Sequence, residues 1–143
     1  MPSKIKYTNT GVYLRSLYDA LVTNLHRSLT AEGYGEITPS HGLVFQYIDD
    51  EGSRITQLAF RTNMKKQSMS ALVYQLEDLG YLHRQPDPED ARAILFVLTD
   101  KGMKLRSLAR TINYEFENGW RVAIGTKEYR RLRLALEKLA GLI

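Results

Sequence analysis

The sequence predicts a mainly α chain with one small β-hairpin (α+β). Three observations predict it. Apolar residues recur at three- and four-residue spacing along most of the chain. One short segment breaks that rhythm with two strand-like runs around a charged loop bearing two prolines, Pro86 to Arg92. Glycines and caps fall between the periodic segments, at Gly33 and Gly35, Thr38-Pro39, Gly52, Gly80 and Gly125.

The first helix is expected from near Gly11 to about Ala31, with Thr10 as its cap. Leu14, Leu17, Tyr18, Leu21, Leu25 and Leu29 recur along it at helical spacing. A second opens at Thr38-Pro39, a hydroxyl cap followed by proline at the first helical position. Its stripe is Val44, Tyr47 and Ile48, with Leu43 and Phe45 beside it. It ends at Asp49-Asp50-Glu51-Gly52; acidic groups there oppose the helix dipole, so that end is expected to be well solvated. A short third helix centres on Gln57-Leu58-Ala59-Phe60. Ser53 or Thr56 caps it, and Ile55, Leu58 and Ala59 form its buried side. Asn63, which tolerates left-handed backbone, makes the turn into a fourth helix that stops at Gly80.

Two strands are expected next, Tyr81 to Gln85 and Ala93 to Leu98. The second is apolar on both faces and so should be mostly covered. The prolines between them forbid a regular ladder in the loop. Thr99 caps a long fifth helix with the ridge Leu105, Leu108, Ile112, Phe116 and Trp120. After Gly125-Thr126, a sixth carries Tyr129, Leu132, Leu136, Leu139 and Ile143. That spacing suits either a dimer seam or packing within the chain. The first, fifth and sixth helices carry more apolar ridge than a small core needs, which favours dimerisation through Leu14, Leu17, Leu132, Leu136 and Leu139.

The fourth helix has two faces. Met69, Leu72, Val73, Leu76 and Leu79 share one side at 100° per residue, about the helical repeat. Gln67, Ser70, Ala71, Tyr74 and Asp78 share the other. Gln pairs bidentately with adenine, Ser serves either groove partner, and an Ala methyl suits thymine. Lys65, Lys66 and Ser68 crowd the helix N-terminus, where the dipole and free backbone N–H groups favour phosphate. The other reading of this face is an ordinary solvated surface. The hairpin that follows decides for DNA: short helix, turn, helix and hairpin make a winged helix-turn-helix. In the wing, Asp90 sits two residues before Arg92 and can hold its guanidinium for a narrow minor groove. The alternative is a plain surface pair. His83, between reading helix and wing, is placed for phosphate.

Composition bounds the remaining choices. The 143 residues are one domain's worth, and 43% apolar content builds a core. Charge is 20 Lys+Arg against 16 Asp+Glu, net +4, mildly basic and compatible with nucleic acid. No cysteine is present, which excludes disulfides, thiolate nucleophiles and cysteine-ligated zinc, and fits a reducing compartment. No apolar run reaches the roughly 18 residues of a membrane span, and residues 1–10 lack an apolar signal core. A cytoplasmic location is expected.

The ordered set Gln57-Leu58-Ala59, Lys66-Gln67-Ser68-Met69-Ser70, Leu76-Glu77-Asp78-Leu79-Gly80-Tyr81-Leu82, Asp90-Ala91-Arg92 and Leu98-Thr99-Asp100-Lys101-Gly102 resembles the MarR family of bacterial transcription regulators. Order and spacing agree from Thr38 to Gly102, and the flanking helices agree in length and position. The resemblance implies one MarR-type domain over residues 1–143. Residues 38–102 would be the DNA-binding core, and 10–32 with 103–143 the dimerisation helices. It implies a homodimer on a pseudo-palindromic operator, usually a repressor, often released by a small and frequently aromatic effector. By carry-over Gln67, Ser70 and Tyr74 face the major groove, and Asp90 and Arg92 shape the wing tip. Two departures stand out. Lys65 replaces the usual Ser or Thr cap, a loss of roughly 1 kcal/mol. Glu89 and Ala91 stand where the wing usually carries basic residues. From Arg54 to Arg92 there are six basic and five acidic side chains, net +1.

Other constellations carry less. Asp87, Glu89 and Asp90 cluster like a hard-metal site but lack the glycine and loop pattern of calcium binding. His26, His41 and His83 have no zinc spacing. His41 is expected to pack or cap, or to line an effector pocket. No phosphate-binding glycine loop or nucleophile elbow appears. No enzyme, metal or cofactor is expected. The competing reading is a winged-helix module that binds protein, with weak or no DNA affinity.

Overall fold

A computed structural model describes residues 8–143. The element order is α1 (Thr10–Ala31), α2 (Pro39–Tyr47), α3 (Ile55–Thr62), α4 (Lys66–Asp78), β1 (Leu82–Asp87), β2 (Asp90–Leu98), α5 (Asp100–Ile124) and α6 (Thr126–Ala140). The fold is mainly α with one antiparallel hairpin, as expected. Two compact units form: residues 26–109, and residues up to 25 together with 110–143. No helix among the described residues is long and apolar enough to cross a membrane.

In the 26–109 unit, α4 packs on α2, α3 and β1. Val44, Phe45, Ile48, Leu58, Met69, Val73, Leu76, Tyr81, Leu82, Phe96, Leu98 and Leu105 are buried there. In α2, Val44 and Ile48 of the expected stripe are buried, but Tyr47 stays exposed and Phe45 is buried in its stead. Nine residues are too few for the stripe to settle on strict periodicity, and Phe45 gains an edge contact with Tyr81 at 5.9 Å.

The caps explain several boundaries. Thr38 caps α2, and the His41 ring accepts the Thr38 N–H in return, a reciprocal capping box. His41 thus caps and packs. Asn9, not Thr10, caps α1, because its Oδ1 accepts the Val12 N–H and Thr10 is already helical. Neither Ser53 nor Thr56 caps α3. Arg54 holds the cap position, and Gln57 reaches back to its N–H at 2.8 Å. Ser53 instead lies buried in a two-bond bridge to Phe96. Asn63 has φ 54° and ψ 38°, the left-handed turn its residue type allows. The acidic end of α2 is not merely solvated: Asp49 pairs with Arg61 and Asp50 with Arg106.

The hairpin differs from expectation at both ends. Tyr81 lies before β1, and the strands run further toward the tip, to Asp87 and from Asp90. Pro86 faces Ile94 across the pair, and the register shifts between Pro86 and Asp87. A two-strand ribbon has a free side on each strand, so a proline can stand there. Nor is β2 covered on both faces. Phe96 and Leu98 are buried, Leu95 and Val97 half-buried, and Ile94 45% exposed, because the outer hairpin projects beyond the helices that would cover it.

In the other unit, α5 and α6 meet through Tyr129, whose hydroxyl donates to Glu117, with Arg133 beside it. None of its described residues is fully buried, and Leu14, Leu17, Leu136 and Leu139 are exposed, with Leu132 half-buried.

Candidate nucleic-acid interface

The start of α4 is an open N-terminus. Lys65 holds the cap position and makes no side-chain cap bond. The first ladder bond is Met69 N–H to the Lys65 carbonyl, 3.0 Å, so the N–H groups of Lys66, Gln67 and Ser68 have no helical acceptor. Lys65, Lys66, Gln67 and Ser68 are all exposed. Ammonium groups and unpaired N–H donors therefore share one end of the helix dipole, an arrangement suited to an oxyanion such as phosphate.

Behind that end the helix divides along most of the expected pattern, though Leu72 is only half-buried and Leu79, at the C-cap, is exposed. Met69, Val73 and Leu76 are fully buried, while Gln67, Ala71 and Tyr74 are exposed. Ser70 is only half-exposed, and its hydroxyl donates to the Lys66 carbonyl at 2.8 Å. It keeps acceptor capacity toward solvent but its proton is committed. Tyr74 is 45% exposed, with its ring 6.1 Å from Phe96. Gln75, one residue on, accepts from His41 Nε2 through its Oε1 at 2.8 Å, tying the same helix to α2.

His83 is exposed on β1, opposite Val97. The wing tip departs from the sequence expectation. The Asp90 carboxylate accepts the Arg92 backbone N–H at 3.0 Å and does not hold the guanidinium. Two residues of separation in a tight turn favour this local bond over a side-chain pair. Arg92 is exposed, with no ion pair among the described residues. Asp87 leaves the acidic cluster for a different task. It is 8% exposed, accepts the Glu89 N–H at 2.9 Å, and pairs with Arg54. Among the described residues no three His, Asp or Glu groups could share a metal.

Three residues outside the sequence-stated candidates shape this surface. Arg54 ties the wing to the start of α3. Gln75 ties α4 to α2. Arg84 donates from Nε and Nη2 to both Glu77 oxygens, at 2.8 and 2.6 Å, and this holds the Glu77 carboxyl below its usual range. Each depends on strand register or on a contact across elements, which a single sequence does not encode locally.

An open start to α4, the two faces of that helix and a hairpin wing now stand in one unit. Residues 36–93 match the model described as the MarR family. Over that winged core the chain is similar to the MarR family of transcriptional regulators. A MarR-type core also agrees with relatives. Over 86 residues the chain is 28% identical to the HTH-type transcriptional regulator Mb0904 of Mycobacterium bovis. That match covers 60% of this chain and 60% of that protein, so the chain spans about three-fifths of the curated relative's length. The structure of the S. aureus MepR–DNA complex superposes with a TM-score of 0.75 at 19% identity, covering 96% of this chain and 100% of that one. The structure of CouR from Rhodococcus jostii RHA1 bound to p-coumaroyl-CoA gives 0.74 at 21% identity, covering 92% of each. At these identities the likeness establishes the MarR fold.

Proposed function

We propose that this chain is a homodimeric, sequence-specific DNA-binding transcription regulator, a repressor whose hold on its operator is relieved by a small molecule. The observation that carries DNA binding is the uncapped, lysine-flanked start of α4 beside an exposed Gln67, Ala71 and Tyr74. Lys65, Lys66 and Ser68 would meet phosphate, and Gln67, Ser70, Ala71 and Tyr74 base edges. His83 and Arg92 would meet the backbone and minor groove, with Asp90 shaping the turn. The structural neighbour MepR, in a DNA complex, supports this reading.

Dimerisation rests on the unit outside the winged core, where no described residue is fully buried and leucines stand exposed. A second copy would cover Leu14, Leu17, Leu132, Leu136 and Leu139. Residues 10–32 and 103–143 are proposed as the dimer part, and 38–102 as the DNA-binding part. The small-molecule response is supported by CouR, which is bound to p-coumaroyl-CoA.

Selection from a pool of random duplexes tests the whole reading. The enriched site should be a pseudo-palindrome with half-sites one helical turn apart, about 34 Å. Enrichment of nothing, or of an asymmetric single site, would contradict it.

One observation favours the protein-binding alternative. Three of the six cations from Arg54 to Arg92 are engaged by Asp87, Asp49 and Glu77, leaving Lys65, Lys66 and Arg92 outside those ion pairs. Replacing Lys66 and Arg92 with alanine separates the readings. If every binding activity survives both changes, the DNA reading is wrong.

A further inference from the structure

Arg84 is the one cation on the α4-facing side of the wing that the DNA reading leaves without a task. It lies opposite Phe96 in the hairpin register. Its guanidinium carbon is 5.5 Å from the Tyr74 ring centroid and 5.4 Å from that of Phe96. Both Glu77 oxygens accept from it. Tyr74 and Glu77 are three residues apart on α4, neighbours on one helix face. A single planar group therefore reaches the ring of one and the carboxylate of the other.

That geometry has two consequences. A bidentate arginine–carboxylate pair has a set plane, and a ring stacked against it gains attraction only while it keeps its place. The Arg84 charge is also balanced by Glu77, so a phosphate approaching it would meet a neutral pair. The Tyr74 hydroxyl makes no hydrogen bond among the described residues, and the residue is 45% exposed.

We propose that Arg84 is a positioning residue: held by Glu77, it fixes the Tyr74 ring in the major-groove face of α4 and so sets base preference without neutralising a phosphate. This rests on the DNA-binding reading above. A swinging tyrosine could meet several bases, whereas a fixed one meets few, and its ordering cost is met before DNA arrives. Lysine cannot substitute, since it offers a point charge with neither a plane to stack nor a bidentate fork.

The test uses the full chain with Arg84→Lys, Arg84→Gln, Tyr74→Ala and the double variant Tyr74→Ala with Arg84→Gln. Each is titrated against the selected duplex and its single-base-pair variants over a salt series. Both Arg84 variants should lose about tenfold discrimination at the base pair nearest Tyr74, the scale of one base contact. Other positions and the slope of log affinity against log salt should not change. The double variant should be no worse than Tyr74→Ala alone. A slope reduced by about 0.9 in Arg84→Gln would make Arg84 a phosphate ligand and overturn the proposal. Loss spread evenly over all positions, or additive losses in the double variant, would overturn it too.

A second readout needs no DNA. In the free protein, NMR should show a distinct Arg84 Nε–H and ring-shifted Cδ protons, with that shift reduced in Tyr74→Ala to the part that Phe96 supplies. If the shift is unaffected by Tyr74→Ala, the clamp is absent and the proposal falls, whatever the protein binds. If the shift behaves as expected but the wild-type chain prefers no duplex, the clamp stands and the DNA reading fails, taking the specificity role with it.

Discussion

Arg54 and Asp87 join the start of α3 to the turn of the wing: Nε and Nη2 of Arg54 both reach Asp87 Oδ2, at 2.7 and 2.6 Å. The other oxygen, Oδ1, accepts the Glu89 N–H within the turn itself. One carboxylate thus shapes the wing tip and anchors it. Asp87→Asn keeps the size but loses the charge-assisted pair. Hydrogen exchange of the β1–β2 amides should then quicken, and affinity for a selected duplex should fall while the base preference set by α4 stays. Unchanged exchange at the hairpin would show that Phe96 packing and the Ser53 bridge suffice to hold the wing.

Gly102 gives a prediction whose sign depends on packing. In an open helix, Gly→Ala stabilises by about 0.5–1 kcal/mol. A Cβ at Gly102, however, would press into the Tyr81 carbonyl and stand 3.0 Å from Leu98 Cδ2. Backbone cannot give way as a flexible side chain can, so Gly102→Ala should destabilise by about 1–3 kcal/mol. Gly42, with nothing within 4 Å of its would-be Cβ, is the control and should show the ordinary gain. Urea unfolding of both variants checks the pair.

These particulars separate what a sequence announces from what it conceals. The Thr38-Pro39 cap, the Asn63 turn, the Gly80 stop and the two faces of α4 are local, and each is written within a few residues. The glycine of Leu98-Thr99-Asp100-Lys101-Gly102 is visible as a residue, but its reason is the Tyr81 carbonyl, placed there by the whole hairpin. Asp90 and Arg92 illustrate the opposite case. Proximity in sequence suggested a side-chain pair, yet a backbone N–H at the same spacing was the nearer partner. Arg54 with Asp87, and Arg84 with Glu77 and Tyr74, depend on the strand register and were out of reach of any local pattern.

Acid should weaken the fold through four carboxylates held below their ordinary values. The Tyr81 hydroxyl lowers Glu36, Arg61 lowers Asp49, Arg84 lowers Glu77, and the Glu89 N–H followed by Arg54 lowers Asp87. A depressed folded-state pKa adds stability that is present above the unfolded value, here 4.5 for Glu and 3.8 for Asp, and is lost as pH falls through the folded value. Tm should stay level on this account down to about pH 5 and fall below it. Glu77→Gln should flatten part of that fall. An acid limb identical in wild type and Glu77→Gln would contradict the assignment.

Dimerisation is testable without DNA. Leu136 and Leu139 are exposed on α6 in the single chain. Sedimentation equilibrium should give twice the chain mass for the wild type, and a shift toward the single chain for Leu136→Asp with Leu139→Asp. Burying two carboxylates in an apolar seam is strongly unfavourable. A wild-type chain that sediments as a monomer would contradict the proposal.

The central claim is that the open start of α4 meets phosphate while its outer face reads bases. Fluorescence anisotropy of the chain and of Lys66→Ala, with duplex from upstream of its own gene, a scrambled duplex and a salt series, tests it most directly. The account predicts tight, salt-sensitive binding that prefers the upstream duplex. It also predicts that Lys66→Ala lowers affinity for both duplexes alike and reduces the salt slope by about 0.9. Equal affinity for both duplexes, with a slope unchanged by Lys66→Ala, would contradict it.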